Sequence, residues 1–314
     1  MKIETITEKE YLGLLHKYMK IIPIYTDNEA IECYKDRELI KVTKNNNPIA
    51  VFLIPIDNQG VRRKYRFFPY LMPIVLESKS SIEKKGIYEL IFKYLFNKYN
   101  YVFIPIHPEY KLISAISAEG GFVEMRHTHI LRDKLVFEEL SPKLRNHVRS
   151  AMKQVEIIID NSYQNYDFAK AIKGNLEEIE ERSTLAKKLL DAKKGFTVKA
   201  KYNNEIIAGL VIIYDNDWSY LLHSYQDGSI RGIVPYLILM ASNYAFDEKK
   251  VKYFDFEGSV IDKIDDFFTS FNAEIITYPF VIYSNDEKEF QKLINKSRNI
   301  IGRIKSENEE NKDW

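Results

Sequence analysis

The chain has 314 residues, more than one compact hydrophobic core usually holds, so two domains of about 150 residues each are expected. Its 46 Lys and Arg against 45 Asp and Glu leave a formal net charge of +1, which excludes a global field that would gather DNA or an anionic membrane. A single cysteine, Cys33, excludes an internal disulfide framework and a cysteine zinc cluster, and fits a reducing cytosol.

The N-terminal segment, residues 1–20, mixes charged residues through its apolar positions and has the pattern of neither a signal peptide nor a membrane anchor. No later stretch approaches the ~18 to 20 apolar residues that a membrane span requires. We therefore expect a soluble, cytoplasmic protein without a membrane span.

Two segments predict a repeated unit. ELIKVTKNNNPIAVFLIPID (Glu38 to Asp57) and FTVKAKYNNEIIAGLVIIYD (Phe196 to Asp215) both read as hairpins that turn on asparagines, which tolerate positive φ. Each is followed by a helix, a strand, a short helix and a last strand, and Tyr101 corresponds to Tyr253 at an offset of 253 − 101 = 152 residues. Duplication is the interpretation we prefer, and coincidence is the alternative.

This element order predicts an α/β layout in which a mixed sheet carries helices on its faces. The boundary is predicted at Ser141 and Pro142, a helix N-cap followed by proline at the first helical position, which gives domains 1–140 and 141–314. The second domain ends in an amphipathic helix that we expect to pack on the body of the protein. Its apolar face is predicted to hold Phe290, Leu293, Ile294, Ile300, Ile301 and Ile304.

Three features of the sequence resemble a known family: the element order, the stretch FFTSFNAEIITYP after FDFEGS, and the helix SPKLRNHVRSAMKQ. Together they resemble the GNAT acyltransferase fold in tandem, as in the Fem family of peptidoglycan-bridge aminoacyltransferases. The resemblance implies two tandem GNAT-like units, each a mixed twisted β-sheet flanked by helices. The first unit would be degenerate and lie on the acceptor side.

The chain departs from both family patterns at Phe268. The lysine with which Fem proteins handle an aminoacyl-tRNA donor and the tyrosine with which GNAT enzymes protonate coenzyme A both correspond to this residue. A phenyl ring neither binds a phosphate nor donates a proton. Asn272 replaces the glycine of the GNAT pattern where the helix ends, an exchange that left-handed geometry tolerates.

The stretch DGSIRGIVPYLIL corresponds to the pyrophosphate loop of GNAT proteins. The resemblance implies that Arg231, Gly232 and Ile233 hold a phosphate-bearing co-substrate such as acyl-CoA, with no tightly bound cofactor, although Pro235 lacks an N–H there. Arg145 begins a basic stripe, repeated every four residues, that would suit carrier phosphates. A solvated helix face explains that stripe equally well.

Two carboxylates, Asp255 and Glu257, end the predicted strand YFDFEGS just before Gly258. Alternation places both on one face, at the carboxyl end of a strand where ligands of open α/β sheets bind. We predict that either one orients or deprotonates an acceptor amine. A helix cap or an ion pair with Arg or Lys is the alternative.

Five further side chains are candidates for substrate contact. His223 and Tyr225 share a face of the strand that the GNAT pattern places beside the acyl group, although a satisfied core histidine is more common. In Fem-like proteins the region of Tyr65, Arg66 and Tyr70 helps form the acceptor groove, and an aromatic plug between domains is the alternative.

A metal site is not expected, because His107, His127 and His129 lack HExxH or CxxC spacing.

The sequence predicts an N-acyltransferase of the GNAT or Fem-like type. It would transfer an acyl or aminoacyl group from acyl-CoA or aminoacyl-tRNA to an amine on a small molecule or peptide. The rival interpretation is a non-catalytic binding or scaffold protein that retains the fold.

Overall fold

The computed structural model describes residues 1–34, 36–56, 60–62, 70–77, 79–111, 113–172, 176–258 and 262–295. The helices are α1 (Glu8–Tyr18), α2 (Asn28–Cys33), α3 (Ser81–Lys98), α4 (Ile113–Ala118), α5 (Pro142–Met152), α6 (Phe168–Ala171), α7 (Leu176–Asp191), α8 (Ile233–Tyr244) and α9 (Asp262–Thr269). Residues 287–295 are also helical. Within the described ranges, every helix is too short or too polar to cross a bilayer.

The strands alternate with these helices as the repeated pattern predicts. They are β1 (Lys2–Thr5), β2 (Arg37–Lys44), β3 (Asn47–Pro55), β4 (Val61–Arg62), β5 (Ile74–Val75), β6 (Tyr101–Pro105), β7 (Phe122–Leu131), β8 (Glu156–Asp160), β9 (Gly195–Tyr202), β10 (Glu205–Tyr214), β11 (Trp218–Gln226), β12 (Tyr253–Asp255) and β13 (Glu274–Ser284).

Packing divides the chain into two compact units that are discontinuous in sequence. The first unit takes the described residues of Met1–His127 and Thr277–Trp314, and the second takes those of Thr128–Ser259 and Lys263–Ile276. The division falls inside β7 and β13, so both strands change units along their length. The boundary at 140/141 stays a prediction about the duplicated sequence modules.

The first unit contains a sheet in the order β1-β2-β3-β5, and β6 pairs with β4 and with the end of β13. Its core lies between these strands and α3, whose Ile91, Phe92 and Leu95 are fully buried. The helix that begins at 287 packs Leu293 and Ile294 against Phe280 and Ile282 of β13, as its amphipathic pattern predicts. Ile300, Ile301 and Ile304 lie outside the described residues.

The second unit contains strands in the order β12-β11-β10-β9-β8, with the end of β7 on the other side of β12. Its core buries α5, α8 and one face of these strands, including Phe196 and Phe254. The predicted N-cap of α5 is present, because the Ser141 hydroxyl accepts the Leu144 N–H at 3.3 Å and Pro142 occupies the first turn.

The two hairpins match residue for residue. The turn residues Asn45 and Asn46 have φ of 52° and 64°, and Asn203 and Asn204, which lie 203 − 45 = 158 residues later, have φ of 47° and 66°. The register shift also recurs: β3 skips Ile49, and β10 skips the residue at 49 + 158 = 207. Because a one-residue bulge changes every later pairing, its repetition is strong support for a common module.

The central strands repeat in the same way. Phe254 of β12 pairs with Leu131, and Val102 of β6 pairs with Tyr283, so both partners differ by one offset, 254 − 102 = 283 − 131 = 152. The last strand of each sequence module therefore ends in the sheet of the other compact unit. This reciprocal exchange brings Thr128–Leu131 into the second unit, where the candidate site lies.

Candidate functional site

The candidate site of the second unit lies where two parallel strands stop pairing. Trp218–Tyr220 of β11 pair with Tyr253–Asp255 of β12, and β12 ends there. β11 continues to Gln226 and is paired with β10 along the way, with a register shift that leaves Leu222 as the extra residue. Among the described residues, the pairing between β11 and β12 ends at Tyr220, and we call the end of this pairing the opening.

Asp255 lies at this opening and is fully buried. Its Oδ1 accepts the hydroxyl of Thr128 at 2.5 Å and the backbone N–H of Glu257 at 2.7 Å. A buried carboxylate needs such donors, since each one replaces a lost water. Asp255 therefore fixes the turn that follows it, ahead of α9, which begins at Asp262.

Glu257 stands in that turn and is half-buried. Its φ is 65° and that of Gly258 is 69°, so two consecutive residues adopt left-handed geometry, which costs a non-glycine residue about 1 kcal/mol or more. The alternation predicted to run through Glu257 thus ends at Asp255. Of the two predicted carboxylate residues, Asp255 is fully buried and Glu257 is half-buried, with its Oε1 atom buried.

Phe254 and Phe256 lie in the core of the second unit, as predicted, and Phe256 packs against α9. The ring of Phe256 lies 4.7 Å from that of Phe268, which is 8% exposed. The position at which Fem proteins have a lysine and GNAT enzymes a tyrosine is therefore occupied by the buried ring of Phe268. This packing leaves no ionisable group at that position.

His129, which the sequence suggested only as a rejected metal ligand, contacts α9. It is fully buried, its Nε2 lies 3.1 Å from Thr269 Oγ1 and 3.6 Å from Asp265 Oδ1, and its carbonyl accepts the Phe256 N–H at 3.0 Å. The sequence did not predict the contact of His129 with α9 or that of Thr128 with Asp255. Both residues belong to β7, the strand that changes units along its length.

His223 and Tyr225 lie two residues apart on β11, beyond its bulge. Burial lowers the pKa of His223 to about 3, and the charge of Arg182 on α7 acts in the same direction, so the imidazole is neutral. The ring of Tyr225 packs edge-on against Tyr166 at 5.0 Å. Gly209 leaves room for both tyrosines, since a Cβ there would lie 2.9 Å from the ring of Tyr166.

The predicted phosphate-binding residues surround the start of α8. Gly232 is its N-cap at φ 84°, Ile233 is buried, and Arg231 is exposed. Arg145 is half-buried and its Nη1 donates to the carbonyl of Glu138 at 2.9 Å. The guanidinium of Arg149, one turn further along α5, lies 5.5 Å from the Phe137 ring centre. Both arginines of this stripe therefore have contacts within the unit.

The predicted acceptor residues belong to the first unit. Tyr65 and Arg66 lie outside the described residues. Tyr70 is 1% exposed and packs edge-on against His107 and Tyr278 at 5.2 and 5.0 Å. Its ring is thus part of the interior of that unit.

The first module lacks the carboxylates of the second. At the offset of 152, Asp255 and Glu257 correspond to Phe103 (255 − 152) and Pro105 (257 − 152), both in β6. Neither residue accepts or donates a proton through its side chain. The two predicted carboxylates therefore have no carboxylate counterpart at these two positions of the first module.

No protein-family model matches this sequence. No curated protein matches it either. The solved structures, however, include FemX, which is 13% identical and has a TM-score of 0.62 over 93% of this chain and 99% of its own.

Two other solved structures agree. L-PGS from Bacillus licheniformis is 11% identical, with a TM-score of 0.57 over 93% of this chain and 97% of its own. A GNAT-family acetyltransferase from Colwellia psychrerythraea is 12% identical, with a TM-score of 0.57 over 90% of this chain and all (100%) of its own. The chain has a Fem-like GNAT fold. The predicted fold class, two tandem GNAT-like units of mixed sheet flanked by helices, is confirmed.

Proposed function

We propose that this protein is an N-acyltransferase that moves an acyl or aminoacyl group from a carrier to an amine by direct attack. The observation that carries the proposal is the end of the pairing between β11 and β12, where the half-buried residue Glu257 follows Asp255 on a backbone that Asp255 holds. The Fem-like GNAT fold supports the same chemistry, since one structure that shares it is a GNAT-family acetyltransferase.

In the proposed reaction the amine lone pair attacks the acyl carbon, the amide bond forms, and the bond from that carbon to the carrier breaks. The Glu257 carboxylate accepts the proton that the ammonium group must lose. As the tetrahedral intermediate collapses, the nitrogen loses a second proton and the departing thiol or hydroxyl of the carrier takes one up. Backbone amides of β11 beyond Tyr220, on the side of β12, donate to the tetrahedral oxyanion. Asp255 is a positioning residue, because its carboxylate holds the Glu257 N–H.

The proposed reactants follow from the surroundings of the opening. His223 and Tyr225 flank the acyl group, and the neutral imidazole suits an uncharged group rather than a carboxylate. The acceptor is an amine on a small molecule or peptide. The carrier is acyl-CoA or aminoacyl-tRNA, and we propose that the reaction takes place in the cytoplasm.

The test supplies both donors, labelled acetyl-CoA and a mixture of labelled aminoacyl-tRNAs, with lysine-bearing peptides as acceptors. Glu257→Gln should lower the transfer rate by about 10² to 10⁴, the usual contribution of a general base. The matched control is Glu274→Gln, since this exposed carboxylate pairs with Arg132 and should leave the rate unchanged. A full rate in Glu257→Gln would remove this residue from the mechanism.

A second candidate function is a binding protein that retains the fold without catalysis. The observation that favours it is Phe268, whose buried ring fills the position of the family lysine or tyrosine. No transfer from either donor to any acceptor, together with a thermal shift on adding the acceptor alone, would support this candidate over the enzyme.

A further inference from the structure

The proposed transfer to an amine does not use the imidazole of His129 in β7. This residue is fully buried, its ring lies 5.8 Å from the ring of Phe268, and its carbonyl accepts the Phe256 N–H at 3.0 Å. Both the backbone and the ring of His129 are therefore held by neighbours in the second unit. A base held in this way keeps one direction, which favours proton transfer along a single hydrogen bond.

The hydroxyl of Thr269, the last residue of α9, contacts this imidazole. Thr269 Oγ1 lies 3.1 Å from His129 Nε2, which is within hydrogen-bond distance, and Thr269 is an exposed residue. A hydroxyl is a weak nucleophile by itself, and an adjacent base that removes its proton activates it. Thr269 thus combines an oxygen in contact with a base and an exposed position in the unit.

The carboxylate of Asp265, one turn earlier on α9, lies beside the same nitrogen. Its Oδ1 is 3.6 Å from His129 Nε2, which is too long for a good hydrogen bond but short enough for attraction between charges. An imidazole that accepts the Thr269 proton becomes a cation inside the unit, and burying an unpaired charge is costly. The negative charge of Asp265 offsets that cost, as the carboxylate of a catalytic triad does.

Thr184 on α7 of the same unit is a matched comparison. It is also exposed, and its hydroxyl donates to the Glu180 carbonyl of its own helix at 2.8 Å. A carbonyl accepts a hydrogen bond but does not remove the proton, so this hydroxyl is not activated. The two threonines therefore differ in the group that their hydroxyl oxygens contact, and both are exposed.

We propose that Thr269 is a nucleophile that takes acyl groups from activated esters and thioesters, with His129 as its general base. The Thr269 oxygen attacks the carbonyl carbon while its proton passes to His129 Nε2. The bond from that carbon to the leaving oxygen or sulfur breaks, the leaving group departs with the electron pair and takes up the proton from His129, and an ester of Thr269 remains. Asp265 is a positioning residue, since it acts through the imidazole. This activity is separate from the proposed amine transfer, because it needs neither Glu257 nor an amine.

The test treats the purified full chain with p-nitrophenyl acetate, quenches in acid, and measures the acetylated peptides by mass spectrometry after digestion. In the wild type, Thr269 should carry about tenfold or more acetyl ester than Thr184 in the same digest, a modest share of what a general base contributes. Thr269→Val should lose this ester, and Thr269→Ser, which keeps a hydroxyl, should retain it. Thermal unfolding of each variant shows that it is folded.

The role of the carboxylate is tested on the surface of α9, where a variant keeps the buried imidazole in place. Asp265→Asn should lower the labelling of Thr269 by about threefold or more with Thr184 unchanged, and Asp265→Glu, which keeps the charge, should restore it. Labelling of Thr269 no greater than that of Thr184, or full labelling in a folded Asp265→Asn variant, would overturn the inference and leave a contact that only joins β7 to α9. The labelling uses no amine acceptor and no carrier, so a failure of amine transfer does not affect it.

Discussion

Glu38 ties β2 to α3 and β1 in the first unit, and its replacement gives a prediction that can be worked out in advance. The carboxylate belongs to a residue 7% exposed and accepts hydrogen bonds from Lys98 at 2.6 Å, from Tyr94 at 2.7 Å, and from Thr5 at 2.7 Å. The hydroxyl of Tyr99 is a fourth donor. Glu38→Gln removes the charge while it keeps the size of the side chain.

The magnitude follows from the pKa of Glu38. Burial by itself would raise the pKa, but the four donors outweigh it and lower the pKa from 4.5 to about 2. At about 1.4 kcal/mol per pKa unit, the difference between 4.5 and about 2 corresponds to about 3 kcal/mol. Lys98 is 44% exposed, so solvent screens the pair, and we expect about 2 kcal/mol in the free energy of unfolding.

The dependence of the free energy of unfolding on pH follows from the lowered pKa of Glu38. The stabilisation is fully present above pH 4.5 and is lost as the pH falls towards 2, where the folded protein also binds the proton. Urea unfolding followed by circular dichroism should therefore show Glu38→Gln destabilised by about 2 kcal/mol at pH 7, with the difference shrinking below pH 4.5. Glu83→Gln, which removes an exposed partner of Lys44, is the control and should change little. A constant difference between pH 7 and pH 3 would refute the reasoning.

The remaining predictions concern stability and use thermal or urea unfolding. Lys199→Met should lower the free energy of unfolding by about 2 kcal/mol, because the buried ammonium pairs with Asp160 at 3.0 Å. The half-exposed Asp160 carboxylate limits the loss. An unchanged unfolding midpoint would contradict this. Gly232→Ala should destabilise by more than about 1 kcal/mol, since φ is 84° and the space is filled. Gly13→Ala, with nothing within 4 Å, should instead stabilise α1 by about 0.5 to 1 kcal/mol, and a loss there would count against the geometry.

Local chemistry explains why the hairpins and the helix start could be predicted from sequence. Paired asparagines adopt positive φ at little cost, so Asn45–Asn46 and Asn203–Asn204 specify tight turns wherever they fall between alternating runs. Ser141 and Pro142 likewise determine the start of α5 through contacts within four residues. Such signals depend on neighbours in the chain and need no knowledge of the fold.

The candidate site was predicted only in part. The alternation of apolar and polar residues correctly predicted Phe254 and Phe256 in the core, but it predicted a strand that ends two residues too late. The pattern contains no sign of the turn that the hydrogen bond from the Glu257 N–H to Asp255 stabilises. The donor from Thr128 lies 127 residues away in sequence. Nothing in the local pattern of either residue indicates that they meet.

The sequence by itself determined the elements, their order, their repetition at a nearly constant spacing, and the residues that distinguish the second module from the first. Only the tertiary structure decided that β7 and β13 each end in the other unit's sheet, and that His129 therefore contacts α9. The physical reason is that turns and caps are fixed by neighbours in the chain. The choice of a strand's partner depends on which distant edge offers unpaired backbone groups and an apolar surface.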